Sequence, residues 1–149
     1  MLNKAALESY ISALCKNLDI VPPRVHYNST DMQSKTTIAQ AARSGEDIYL
    51  KKLEGQDERD VLFAMAHEIR HIWQIRKHEE EFFKNYKPLN LCSDIDEYNI
   101  QDAELDANAY ATAVMLAYFK GKPLFNGLDE ATKTEIYRRA SKIISNGEI

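Results

Sequence analysis

The sequence predicts an α+β fold, with a small three-stranded sheet and mainly helical packing. Apolar residues recur at helical spacing in four long stretches. Between the first and second of these lie three short segments that are partly β-branched or aromatic, separated by turn-forming residues. At 149 residues and 44% hydrophobic composition, the chain (1–149) is of single-domain size. It contains no internal repeat, low-complexity tract or dividing linker.

Residues 3 to 18 place Leu7, Ile11, Leu14 and Leu18 on one helical face, and Pro22-Pro23 closes that helix. The three expected strands are Arg24-Val25-His26-Tyr27, Thr36-Thr37-Ile38-Ala39-Gln40-Ala41 and Asp47-Ile48-Tyr49-Leu50-Lys51. The alanines from 39 to 42 oppose the middle assignment, because alanine favours helix. Asp57 is the expected N-cap of a second helix, with Asp60 in its first turn, and this helix runs to about Glu80. Its polar end, residues 76 to 81, reads as a solvated face. A connecting loop occupies 82 to 91, and Ser93-x-x-Asp96 begins a single long helix, about 95 to 120, stopped by Gly121 and Pro123. Its Ala103, Ala107, Tyr110, Ala111 and Val114 form a small-residue face suited to close packing. The last helix, about Asp129 to Ile144, turns Ile136, Ala140, Ile143 and Ile144 inward and Lys133, Arg138, Arg139 and Lys142 outward.

The net charge of −4 is spread along the chain, without a basic block or basic-aromatic interleaving, which argues against nucleic acid as a partner. A peptide or protein is the expected partner. The N-terminus lacks a signal-like pattern and no run of about 18 apolar residues occurs, so no membrane association is expected and the protein is placed in the cytoplasm. Cys15 and Cys92 are expected to be free thiols, Cys15 in the core.

The second helix carries His67-Glu68-Ile69-Arg70-His71. With Leu62, Met65, Ile69 and Ile72 marking helical periodicity, His67 and His71 stand one turn apart on one face, where two imidazoles can reach one ion. A Zn²⁺ held by neutral imidazoles keeps a position for water, and Glu68 has the spacing of a carboxylate that takes that water's proton. His78 shares the angular stripe, but seven residues beyond His71 is roughly 10 Å along the axis, too far to share the ion. Arg70 reads as a surface cation or the partner of an acidic neighbour.

Two histidines and a water leave one protein ligand to find, on a separate element packed against this helix. Glu104-Leu105-Asp106-Ala107-Asn108 offers it. Glu104 can point at the ion, small Ala107 allows close approach, and Asn108, one turn on from Glu104, can hydrogen-bond a ligand histidine. Asp102 and Asp106 are the competing ligands.

His67-Glu68-x-x-His71 followed by Glu104-x-x-Ala107-Asn108 resembles the gluzincin metallopeptidases, whose second motif is Glu-x-x-Ala-Asp/Asn on a helix. The compact order of elements is similar to minimal zincin-like domains, including ImmA/IrrE-type and phage metallopeptidase domains. The specific likeness covers residues 60 to 115. The resemblance implies one Zn²⁺ per chain on His67, His71 and Glu104, with Glu68 as general base of a peptidase. Tyr98, Tyr110, His26 and Tyr86 are candidate oxyanion donors by residue type, and an extended substrate could add to a sheet edge. A zinc-stabilised protein-binding module without proteolysis is the alternative from another class. A hydrolase of non-peptide amides would use the same chemistry.

Overall fold

In a computed structural model that describes residues 2–30, 37–123, 125 and 127–149, the chain forms five α-helices and a three-stranded mixed sheet, an α+β fold. The chain gathers into two compact units, Met1–Lys77 and His78–Ile149.

In the first unit, helix α1 (Lys4–Asn17) begins where the Asn3 side chain accepts from the Ala6 N–H at 2.8 Å, and it buries Leu7, Ile11, Leu14 and Cys15. The strands are β1 (Arg24–His26), β2 (Ala39–Ala41) and β3 (Asp47–Leu50). Strand β3 is central, parallel to β1 with Val25 opposite Ile48, and antiparallel to β2 with Gln40 opposite Tyr49. Its alternation puts Ile48 and Leu50 in the core. The alanine-rich segment is therefore strand, because pairing with β3 outweighs intrinsic propensity. Thr37 and Ile38 precede it without regular structure, and Thr36 lies outside the described residues.

Helix α2 (Glu58–Phe83) starts at Asp57, whose carboxylate accepts from the Arg59 and Asp60 N–H groups at 2.9 and 3.2 Å. Val61, Leu62, Met65, Ala66, Ile69 and Ile72 are buried, and the Tyr10 hydroxyl donates to the Leu62 carbonyl at 2.7 Å, joining α1 to α2. The helix outlasts its expected end, through a break at His78 (φ −141°, ψ 36°), where the second unit starts. Arg76 and Lys77 are not simply a solvated face. Arg76 donates to the carbonyls of Gly45 (2.8 Å) and Val21 (2.6 Å), and Lys77 to that of Leu18 (3.1 Å). Gly45 permits this closeness: its φ is +77°, and a Cβ there would meet Ile75 Cγ2 at 3.0 Å.

The second unit corrects one expectation, since the helix expected over about 95 to 120 is two helices, α3 (Ile95–Asn99) and α4 (Asp102–Tyr118). Gln101 separates them in an extended conformation (φ −64°, ψ 144°). Its amide accepts from the Lys87 N–H at 2.7 Å and donates to the Lys87 carbonyl at 2.9 Å, a tether that continuing the helix would break. The start is also one residue away from Ser93, because Asp94 caps α3 by accepting from the Glu97 N–H. Helix α4 is buried continuously from Ala103 to Leu105 and from Ala107 to Met115. It packs against α5 (Glu130–Ser145), capped by Asp129, through Ile136, Ala140 and Ile143. Ile144, expected inward, is exposed, one residue off that stripe. Arg139 reaches Asp102 at 2.8 Å. Cys15 and Cys92 are free, and burial pushes the Cys15 thiol up to about 11. Among the described residues, no helix is long and apolar enough to cross a membrane.

Candidate metal centre

The apolar stripe of α2 determines which way its histidines face. With Met65, Ile69 and Ile72 in the core, the adjoining positions 67, 68 and 71 fall at its margin: the His67 and Glu68 side chains are each 14% exposed, and His71 is 7% exposed. The Nε2 atoms of His67 and His71 face each other at 3.1 Å, with the rings nearly perpendicular. His71 Nδ1 lies 2.8 Å from Oε1 of Gln74, which is fully buried. A carbonyl oxygen only accepts, so Nδ1 carries the proton and Nε2 of a neutral ring presents a lone pair toward His67. Two nitrogens bound to one tetrahedral zinc at about 2.0 Å stand about 3.3 Å apart, close to the separation seen here.

Glu68 lies beside this pair. Its Oε1 is 4.0 Å from His67 Nε2, and its Oε2 accepts from the Ala41 N–H at 2.8 Å. That backbone donor orients the carboxylate. The hydrogen bonds from Ala42 N–H to the Asp47 carbonyl and from Lys51 N–H to the Ile38 carbonyl set the β2–β3 register, so residues 38, 40 and 42 turn their backbone groups toward β3. Ala39 and Ala41 turn theirs to the outer edge of β2, along which no described strand pairs.

In the second unit, Glu104 occupies the first turn of α4 and is 2% exposed. The Tyr86 hydroxyl donates to its Oε2 at 2.7 Å, and the Tyr98 hydroxyl is 3.1 Å from that of Tyr86. Burial first, and then the Glu104 carboxylate, push the Tyr86 phenol far above its usual range, so it keeps its proton. One ligand atom from each of His67, His71 and Glu104 lies within 4.8 Å of the others, a group that could hold a metal ion. Two imidazoles and a carboxylate, without a thiolate, suit a zinc site with an open position.

Of the competing acids, Asp102 is mostly exposed and paired with Arg139, and Asp106 is half-buried. Asn108 is buried one turn beyond Glu104. Of the three tyrosines and one histidine considered as oxyanion donors, Tyr110 is fully buried, and Tyr86 and Tyr98 form the chain of hydroxyls ending on Glu104. His26 bonds Asp47 at 2.8 Å and stacks on Tyr49. His78 faces Glu81 at 3.4 Å. Arg70 is not a surface cation: it is 4% exposed, with its guanidinium 3.7 Å from the centre of the Trp73 ring.

Sequence reasoning missed Gln74, Tyr86 as a partner of Glu104, and the Ala41 N–H. Gln74 had a signal, since it stands three residues after His71 on one helix face. The other two arise from elements distant in sequence. No protein-family model, curated protein or solved structure matches this chain.

Proposed function

We propose that this protein is a zinc-dependent peptidase with a gluzincin-like site, in which His67, His71 and Glu104 hold the ion and Glu68 is the general base. The observation that carries this reading is the grouping of those three ligand atoms with a carboxylate one residue from the first of them. Zinc, when bound, would supply an acidified water and an electrophile for the scissile carbonyl.

The chain's own residues would do the rest. Glu68, held at one oxygen by the Ala41 N–H, would accept a proton from the attacking water and return it to the leaving amine. Gln74 would keep the His71 proton on Nδ1, so that Nε2 remains a donor to the ion. The outward N–H and carbonyl of Ala39, with the outward carbonyl of Ala41, would pair with an extended peptide and bring its carbonyl beside Glu68, which the Ala41 N–H holds. Asn108 would orient a ligand histidine.

The test is Glu68→Gln. The amide oxygen still accepts from Ala41 N–H, so fold and zinc content should survive, while cleavage of an unfolded test protein falls by about 10² to 10⁴. A mutant that holds zinc and cleaves at the wild-type rate would remove Glu68 as the base. If neither protein cleaves any substrate and cellular function survives the substitution, the zinc-stabilised binding module is the correct reading.

A further inference from the structure

The hydroxyl of Tyr86 has one proton and places it on Glu104 Oε2 at 2.7 Å. Its oxygen is then left to accept from Tyr98 at 3.1 Å, which makes Tyr98 the donor in that pair. Both rings are held by packing. Tyr86 lies edge-on against Phe83, with centroids 4.8 Å apart, and Tyr98 edge-on against Tyr86 at 6.2 Å. Tyr86 sits just past the end of α2, and Tyr98 in α3, whose register is pinned by the Asp94 cap and by the Gln101 amide on the Lys87 backbone. Tyr86 thus meets one carboxylate oxygen of a buried glutamate, with Tyr98 behind it from a second segment, and a hydrogen bond to a charged acceptor there is strong and directional.

We infer that Tyr86, supported by Tyr98, is a positioning residue that holds Glu104 to one-oxygen coordination of the metal ion. A carboxylate with both oxygens available can close on a cation through two bonds, as it does in the crowded oxygen shells of larger ions. With Oε2 engaged by a phenol, Glu104 presents one oxygen, the donor count stays at three, and a fourth position remains for a reacting water. The hydrogen bond also fixes the rotamer of a glutamate that must otherwise be ordered when the ion binds. The break between α3 and α4 places Tyr98 on a different helix from Glu104.

This inference rests on the metal-centre reading, and its test needs no substrate. Apo protein is titrated with Zn²⁺ against a chromophoric chelator, and with Co²⁺ while its visible spectrum is recorded. Wild type should bind one ion and give the intense visible bands of four-coordinate cobalt. Tyr86→Phe should bind zinc about 10- to 100-fold more weakly. Its cobalt bands should weaken and shift toward higher coordination as Oε2 joins the ion, a change that loss of packing alone would not produce. Tyr98→Phe, which leaves the Tyr86 hydroxyl in place, should shift both readouts in the same direction by less, and it carries the test if Tyr86→Phe fails to fold. Wild-type affinity and spectrum in Tyr86→Phe, or in a folded Tyr98→Phe when it stands alone, overturn the inference while leaving the metal centre intact. A wild type that takes up neither ion overturns both.

Discussion

Replacing Gln74 by methionine tests the histidine side of the centre. Methionine has nearly the same shape and volume, so the packing of this fully buried position should survive, but the acceptor for His71 Nδ1–H, now at 2.8 Å, is lost. A buried donor without its acceptor costs about 1–3 kcal/mol. His71 can reduce that cost by moving its proton to Nε2, where His67 Nε2 stands 3.1 Å away. The apo protein should therefore lose stability at the low end of the range, about 1 kcal/mol, or about 2–4 °C in melting temperature. Zinc binding must then reverse the tautomer and reorder the ring, so affinity should fall about 10- to 100-fold, equivalent to about 1.4–2.7 kcal/mol. Gln74→Glu keeps an acceptor at the same place. It should hold zinc at least as tightly as wild type, while its buried charge lowers apo stability. Chelator competition and thermal melts of the metal-free proteins measure the two quantities. Wild-type zinc affinity in Gln74→Met, or equal weakening in both variants, would refute the assignment of Gln74 as the acceptor that sets the His71 tautomer.

Two further outcomes are expected, one at the centre and one on α5. Glu104→Ala should lose bound zinc and, with it, any rise in melting temperature on adding the metal, whereas normal zinc content would move the third ligand to Asp106, since Asp102 is paired with Arg139. Away from the centre, Glu135 is drawn down from 4.5 to about 2, first by its hydrogen bond to Arg138 and then by Arg139. Because its folded value is depressed, its contribution is present above about pH 4.5 and is lost as pH falls toward 2. The melting-temperature difference between wild type and Glu135→Gln should thus be small at pH 7, as for exposed ion pairs, and disappear as pH falls through about 2; a difference that persists below that value contradicts the linkage.

Much of this architecture is a local property of the chain and was legible in it. The i, i+4 spacing puts His67 and His71 on one face wherever an α-helix forms, and the apolar stripe through Leu62, Met65, Ile69 and Ile72 decides that the helix forms and which side is buried. Asp57 and Asp129 announce helix starts because a short carboxylate before an apolar run can satisfy orphaned N–H groups in its own first turn. The three strands were readable for the same reason, being short and bounded by turn residues.

What only the tertiary structure decided depends on partners that no local pattern encodes. The order β1-β3-β2 is a choice among pairings with similar side-chain alternation, and it is this order that leaves the β2 edge beside Glu68. The long helix expected after residue 95 is broken because Gln101 finds the backbone of Lys87, fourteen residues back, and those bonds outweigh an unbroken helix. Arg70, Arg76 and Lys77 read as surface cations by composition; the first lies over the Trp73 ring and the other two are drawn to carbonyl groups 31 to 59 positions away, those of Gly45, Val21 and Leu18. The Tyr86 hydroxyl on Glu104 belongs to the same class. Periodicity and capping are set by neighbours within a turn, whereas hydrogen bonds between distant segments exist only once the chain has closed on itself and removed the water that would otherwise compete for them.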